Sequence, residues 1–316
     1  MKKILILMAT YNGEEYISEQ INSIINQTYK NWELYIHDDG SHDNTKKIID
    51  KYSKTDKRIR IVGDNLYFKN PKKNFLYLVE FIKKMKYDYV AFCDQDDIWK
   101  ENKLEIILAS IEKLSSDIPC LVHSDSMIID KEDKVLSKSF DDLSGMQMKR
   151  DDFESISLWN NAQGCSIIVN KKCIQYIDDV NSDKIIMHDW LITMICSLFG
   201  KCVYLDNPLI MYREHNSNCI GPNTEKKFKD VISKKDDYRK KTLETYERVY
   251  EQLNYFLEKY HDKMDSIQIS RVEKELDCFN KGKITRFFYC INKKLLKKKG
   301  IKSCLGFIFF GGIANG

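Results

Sequence analysis

The sequence predicts an α/β protein: a mostly parallel sheet flanked by helices, continued by a helical, basic C-terminal extension. Three observations lead there. Short apolar runs alternate with segments of helical period through the N-terminal half. The first of those runs are too uniformly hydrophobic to have a wet face, as expected of strands covered by helices on both sides. From about Thr224 the composition changes to charge-rich helical patterns carrying many lysine and aromatic residues.

The elements follow in order. The opening "MKKILILM" joins a basic start to an apolar run that soon passes into polar "TYNGEE". That run is too short for a signal h-region or a bilayer span, so it is read as a first buried strand. "GEEYISEQINSIINQ" places Tyr16, Ile17, Ile21, Ile24 and Ile25 on one helical face. "WELYIHD" is a strand, "DNTKKIIDKYSK" a helix, "RIRIVG" a strand, "KNFLYLVEFIKKM" a helix and "DYVAFC" a strand. "KLEIILASIEKL" is a helix and "CLVHSD" a strand, and the polar stretch through "SFDDLSGMQMKRDD" reads as a loop over the site. "CSIIVN" is a strand, "HDWLITMICSLFG" a helix and "CVYLDNPLIMY" a pair of short strands.

At 316 residues and 43% hydrophobic content, the chain can fill the core of one large domain plus an appendage. Its 51 basic and 47 acidic residues give a net charge of only +4, which removes any global argument for nucleic acid as a partner. The sign is uneven, however: no acidic residue follows Asp277, whereas nine Lys or Arg do. The ten cysteines are scattered without a CxxC pair, so buried thiols in a reducing cytoplasm are expected rather than disulfides.

In parallel sheets the ligand crevice lies beyond the carboxyl ends of the strands. Three polar clusters, "ATYNGE", "HDDGSHD" and "CDQDDIW", begin where strands end and should converge there. The last is the sharpest. Asp94, Gln95 and Asp96 form a D-x-D element, and with Asp97 three carboxylates crowd into four residues, which repel unless something positive lies between them. Two carboxylates on a turn can hold a hard divalent cation and leave positions open for phosphate oxygens. A helix cap, which Asp97 could provide near Trp99, explains one acid but not three. In "HDDGSHDNT", Asp43 is expected to cap the next helix, while Asp38 or Asp39 could accept from a uracil or thymine imide N–H; an ordinary Asp-Asp-Gly turn is the competing reading. Asp189 opens the "HDW" helix, either as a cap with a lowered pKa or as a general base. Arg213 and His215 sit in "YREHNSN", suited to a phosphate contact or a metal.

Taken in order, "ATYNGE", "DDGSHDNT", "CDQDDIW", "NNAQGCS", "HDW" and "YREHNSN" resemble the signature series of family-2, GT-A type inverting glycosyltransferases, and within them the bacterial rhamnosyltransferase-like branch. The resemblance covers roughly residues 1 to 220. It implies a nucleotide-sugar domain over 1–223 and a helical region over 224–316. By it, Asp94 and Asp96 would bind Mg²⁺ or Mn²⁺ on the donor diphosphate, His215 would add a metal or diphosphate contact, and Gln95 would lie beside them. Thr10, Tyr11, Asn12 and Asp39 would hold the nucleoside, Asp189 would be the base, and Gln163, Gly164 and Cys165 would line the sugar pocket. The implied partners are a dTDP- or UDP-linked sugar and a glycan or lipid-linked acceptor in cell-surface polysaccharide synthesis, such as capsule or O-antigen. dTDP-rhamnose is the first donor and a UDP-hexose the alternative. "DNLYFKNPKKNF" departs from the pattern in lacking a small glycine turn, which puts the roles of Lys72, Lys73 and Asn74 in doubt.

Two readings from other classes compete. A nucleotidyltransferase should show a Gly-rich, basic phosphate loop where "ATYNGEE" is acidic, and a noncatalytic membrane-surface protein should tolerate loss of Asp96 or Asp189. The tail sets Ile284, Phe287, Phe288, Ile291 and Leu295 at helical spacing, fitting either a peripheral membrane contact or a helix packed on the domain.

Overall fold

The computed structural model describes residues 1–63, 66–144, 148–215, 235–296 and 301–312. The N-terminal part alternates as expected: β1 (Ile4–Thr10), α1 (Ile17–Ile25), β2 (Trp32–Asp38), α2 (Thr45–Thr55), β3 (Ile59–Ile61), α3 (Pro71–Ile82) and β4 (Tyr89–Cys93). There follow β5 (Ile98–Trp99), α4 (Lys103–Ile111), β6 (Cys120–Ile129), β7 (Val135–Ser137), α5 (Phe140–Ser144), α6 (Phe153–Ile156), β8 (Ile168–Asn170), α7 (Lys171–Ile174), α8 (His188–Phe199) and β9 (Lys201–Arg213). Four C-terminal helices complete the chain: α9 (Lys235–Tyr260), α10 (Ser266–Asn280), α11 (Lys283–Asn292) and α12 (Ile301–Phe310).

One mixed sheet runs in the order β3-β2-β1-β4-β8-β6-β9-β5, with β7 paired to β6. β1 to β4 are mutually parallel, β8 lies antiparallel between β4 and β6, and β9 is parallel to β6. Ile4 to Met8 and Val90 to Cys93 are fully buried because helices cover both faces. Local signals set the helix starts. Asn70 caps α3 through Lys73 N at 3.3 Å with Pro71 at the first position, and Asp265 and Gln268 close a capping box on α10.

Several expectations change. "CVYLDNPLIMY" is one strand, β9, because the "DNP" break is absorbed as a bulge: Leu205 pairs with Ser124 and Pro208 with Asp125. The polar stretch after Ser139 contains the short helix α5, whose first amides bond the buried Asp125 carboxylate: Phe140 N at 3.0 Å and Asp141 N at 3.1 Å. Asp97 caps no helix, since Ile98–Trp99 is a strand paired to β9 and α4 begins only at Lys103. The nine described cysteines are free and buried.

The largest hydrophobic cluster runs from Leu5, Leu7 and Phe92 in the sheet through α8 to Val249, Phe256, Phe279 and Phe307 in the C-terminal helices. The division expected at 223/224 lies outside the described residues. In α11, Arg286 and Cys290 face inward and Leu295 beyond it is buried, whereas Ile284, Phe287, Phe288 and Ile291 are exposed. Among the described residues no helix is long and apolar enough to cross a membrane.

Candidate active site

The loops after β1, β2 and β4 meet in a cavity of about 1310 Å³, larger than the roughly 300–1,000 Å³ usual for one small ligand. Thr10, Tyr11, Asn12, Asp39, Asp94, Gln95, Asp96, Gln163, Gly164, Cys165, Asp189 and His215 all line it. Asp38 and Arg213 are not in its wall.

The nucleoside-side loops are tied to each other by their own side chains. Tyr11 N donates to Gln95 Oε1 at 2.9 Å while Gln95 Nε2 donates to Tyr11 O at 3.0 Å, joining the first loop to the D-x-D turn. Gly13 makes room for this clamp, because a Cβ there would lie 2.3 Å from Gln95 Oε1. Asn12, at φ +46°, accepts from His42 N at 2.9 Å, and its own amide donates to Ser41 Oγ at 2.8 Å. Asp38 is spent on its own turn, accepting from Ser41 N at 2.8 Å and from Thr10 Oγ1 at 3.1 Å. Asp43 binds Thr45 N at 3.0 Å and Glu14 N at 3.1 Å; the helix-start role expected of it is carried out one residue outside the N-cap, Asn44.

Asp39 stays in the cavity wall but is buried, its carboxylate accepting from Phe68 N and from Asn70 N at 2.9 Å. That brace takes the place of the missing glycine turn. It also turns Lys69, at φ +50°, into the cavity wall. The lysines named from sequence point elsewhere: Lys72 Nζ donates to Ile185 O at 2.7 Å and Lys73 pairs with Asp183 at 3.1 Å. Asn74 does reach the cavity wall, where its side chain also holds His37 Nδ1 at 2.8 Å.

The acids form the floor. Burial, reinforced by the charges of Asp97, Asp96 and Asp189, holds the Asp94 carboxyl well above its usual range. Burial and Asp96 push Asp97 up to about 7, although Arg213 N donates to it at 3.2 Å. Asp97 Oδ2 is buried without a hydrogen-bond partner, an orphaned acceptor beside other acids. The cation whose charge acts on both Asp94 and Asp97 is Lys103, fully buried and pushed down to about 7 by desolvation, its Nζ donating to Cys165 O at 2.7 Å. Asp96 Oδ2 bonds His215 Nε2 at 2.9 Å, which raises the imidazole's pKa, and Tyr16 stacks on that ring at 5.4 Å. Arg213 lies beneath the turn: it donates to Asp96 O at 3.0 Å and pairs with Glu19 at 2.6 Å and with Asp133. Its role here is to brace the acidic turn from behind. Of "YREHNSN", residues 216–218 lie outside the described residues.

Asp189 begins the first turn of α8 but does not behave as an exposed cap. Burial raises its carboxyl to about 6 against the bonds from Trp190 N, at 2.7 Å, Asn160 and Gly164. Desolvation outweighs the helix dipole, reversing the lowering expected from its position. A Cβ at Gly164 would come within 3.4 Å of Asp189 Oδ2. Neighbouring His188 is stacked on Phe75 at 4.2 Å with both ring nitrogens unpartnered, and burial drives it down to about 3, so it stays neutral.

Sequence patterns did not point to the far wall, where Trp159, Lys241, Thr242, Thr245 and Tyr246 face the same space. The last four lie at helical spacing on α9, and only the tertiary fold brings that face to the crevice.

The acidic cluster includes groups that can hold an ion: Asp94, Asp97 and Cys165 offer ligand atoms within 4.8 Å of one another. A crevice at the strand ends with this cluster in its floor defines a glycosyltransferase with a GT-A-like fold. The profile of Glycosyl transferase family 2 matches residues 5–176, and the chain belongs to that family. It is 30% identical to the dTDP-rhamnosyl transferase RfbG of Shigella flexneri over 236 residues, 70% of this chain and 76% of that one. It is 38% identical to the UDP-Glc:alpha-D-GlcNAc-diphosphoundecaprenol beta-1,3-glucosyltransferase WfgD of Escherichia coli over 110 residues, 35% of this chain and 41% of that one. The crystal structure of S. aureus TarS 1-349 superposes with a TM-score of 0.57 at 17% identity, covering 87% of this chain and 70% of that one, a likeness of fold. Membership of the family sets aside the nucleotidyltransferase and noncatalytic readings.

Proposed function

We propose that this glycosyltransferase moves a hexosyl group, with inversion, from a UDP-sugar to a hydroxyl of a glycan or lipid-linked saccharide during cell-surface polysaccharide assembly. The observation that carries the reading is the meeting of Asp94, Asp96 and Asp189 with the nucleoside-side loops in one cavity large enough for two substrates. The glucosyltransferase WfgD, 38% identical over 110 residues, favours the UDP donor. A dTDP-rhamnose donor is the second reading, favoured by the longer match to RfbG.

In this reading Thr10, Tyr11, Asn12 and Asp39 hold the nucleoside, with Gln95 fixing Tyr11, and Lys69 and His215 flank the diphosphate. The fit to a divalent cation rests on the donors: several carboxylates, one buried oxygen without a partner, and, beside Asp94 and Asp97, a lysine whose own charge is weakened by desolvation. Asp94 and Asp96 would hold Mg²⁺ or Mn²⁺, whose preference is for such oxygens. Burial holds Cys165 as a thiol, a poor partner for either ion, so the cavity-facing carboxylates are assigned in preference to the inner set. When bound, the cation neutralises charge gathering on the leaving diphosphate.

Asp189 takes the proton from the acceptor hydroxyl. Near neutral pH a group of pKa about 6 is mostly ionised yet more basic than a solvated carboxylate. Its three donors fix its position, and neutral His188 adds no competing charge behind it. No residue need form a covalent link to the sugar. The far wall, built from α9 residues and Trp159, supplies the acceptor side, and an apolar ring with lysine and threonine groups suits a saccharide carrying negative charge.

The test is release of nucleoside diphosphate from UDP-glucose, UDP-galactose and dTDP-rhamnose with Mg²⁺, Mn²⁺ or a chelator. Metal-dependent turnover of a UDP-hexose is expected. Turnover of dTDP-rhamnose alone would move the assignment to the second reading, and binding of neither nucleotide in the presence of metal would overturn both.

A further inference from the structure

Helix α11 is two-sided in an unusual way. Its inner side is anchored: Arg286 is buried and donates to Ile308 O at 2.9 Å, and Cys290 is fully buried. Its outer side carries Ile284, Phe287, Phe288 and Ile291, at i, i+3, i+4 and i+7, with 74%, 42%, 56% and 43% of their surface exposed. Adjacent helix α12 extends this patch with Leu305 and Phe309, 44% and 52% exposed, and Lys283 Nζ bridges the two helices over the Phe309 ring at 5.7 Å. Scattered exposed apolar residues need no explanation, but six on two helices packed together do.

Charge indicates what covers it. Lys281, Lys283 and Lys294 are exposed at the ends of α11, and the sequence after Asp277 contains lysines and an arginine but no acid. An apolar stripe with exposed lysines at both its ends suits an interface that is greasy inside and anionic at its surface. A second copy of this chain would bring like charge against like. We propose that the α11–α12 face docks on the surface of an anionic lipid bilayer without crossing it. Gly306, on α12 beside exposed Leu305, lines the active-site cavity, so docking holds that cavity close to the bilayer plane. A lipid-linked acceptor could then enter without leaving the membrane; that consequence rests on the acceptor proposed above, whereas the docking does not.

The experiment is co-sedimentation of the full chain, without substrates, with vesicles of phosphatidylcholine alone or mixed with phosphatidylglycerol. It is repeated with Ile284→Asp/Phe288→Asp, whose exposed positions leave the core intact as checked by thermal melting, and with Lys281→Glu/Lys283→Glu. Binding to the anionic vesicles is expected, weakened at least about tenfold by either double substitution and by high salt. Equal binding of the wild type and the Asp variant, or no binding by the wild type, would overturn the proposal. So would a concentration-dependent dimer that the Asp variant abolishes while neither protein binds vesicles. Because no donor is present, failure of the glycosyltransferase reading would leave this result unchanged.

Discussion

Replacing Asp189 with asparagine separates a catalytic carboxylate from a structural one. Asparagine keeps the shape and the acceptor oxygen that takes Trp190 N at 2.7 Å, so the start of α8 should persist. What it removes is the charge and the basicity. Losing a positioned general base costs about 10²–10⁴ in rate, so kcat should fall by that factor while the donor KM moves by less than about threefold, as Asp189 lies apart from the nucleoside loops. The pH profile gives a second magnitude. With a pKa of about 6 the base is about 90% ionised at pH 7 and about 10% at pH 5, so the wild-type rate should drop roughly ninefold between them and the variant's should not. A cation bound nearby lowers that value, making 6 the upper limit for the midpoint of the acidic limb.

Stability supplies the control. The folded value is raised from 3.8 to about 6, so the favourable contribution is complete below 3.8 and lost as pH rises through 6. At neutral pH the ionised, buried carboxylate therefore strains the fold by at most about 3 kcal/mol. Asp189→Asn should melt at the same temperature or higher while nearly inactive. The assay is nucleoside diphosphate release across pH at saturating donor and metal, with calorimetry on both proteins. A kcat within about threefold of wild type, with the acidic limb intact in the variant, would refute the assignment of Asp189 as base.

Asp96→Asn removes a cavity-facing carboxylate and the partner of His215, so Mn²⁺ affinity measured by electron paramagnetic resonance should weaken about 10–100-fold. Gln95→Ala deletes both bonds to the Tyr11 backbone and should raise the nucleotide Kd about tenfold by calorimetric titration, with little change in melting temperature because the site is exposed. Glu275, raised by burial to about 8 despite its bond from Tyr289, contributes stability that is complete below 4.5 and lost as pH rises through 8. Thermal melts should show wild type losing more stability than Glu275→Gln between pH 7 and pH 9; parallel curves would rule out a neutral buried Glu275.

The elements legible in the sequence were those whose pattern is local. "WELYIHD" coincides with β2 residue for residue, because its short run of buried residues and the flanking turns fix both ends. The elements misread were those where a distant partner overrides a local signal. "DNP" looks like a break between two strands, but pairing with β6 carries β9 straight through it. The helix-start position of Asp189 suggests a lowered pKa, but burial removes the water that would stabilise its charge and outweighs the bonds from Trp190, Asn160 and Gly164. Lys69 was invisible because its direction depends on Asp39 binding the backbone of residues 68 and 70, a contact spanning about thirty residues that no spacing encodes.

The crowded acids of "CDQDD" are tolerated by a division of labour among their neighbours. Asp97 sits on the core side, bonded by the Arg213 amide, while the Arg213 guanidinium meets its own charge partners, Glu19 and Asp133, away from the cavity. Arg213 therefore braces the turn without neutralising its cavity side. Lys103, a further cation beside the turn, is desolvated to the point where its own charge is marginal. A buried arginine aimed at Asp94 and Asp96 would have made the turn more stable and filled the position of an incoming ion. The chain instead leaves its carboxylates crowded and desolvated, so that Asp94 and Asp97 hold their protons more tightly than free carboxylates do, and a divalent cation displacing those protons would supply the charge the turn lacks. Repulsion that looks like a defect in the isolated fold is, in this arrangement, the source of affinity for the missing charge.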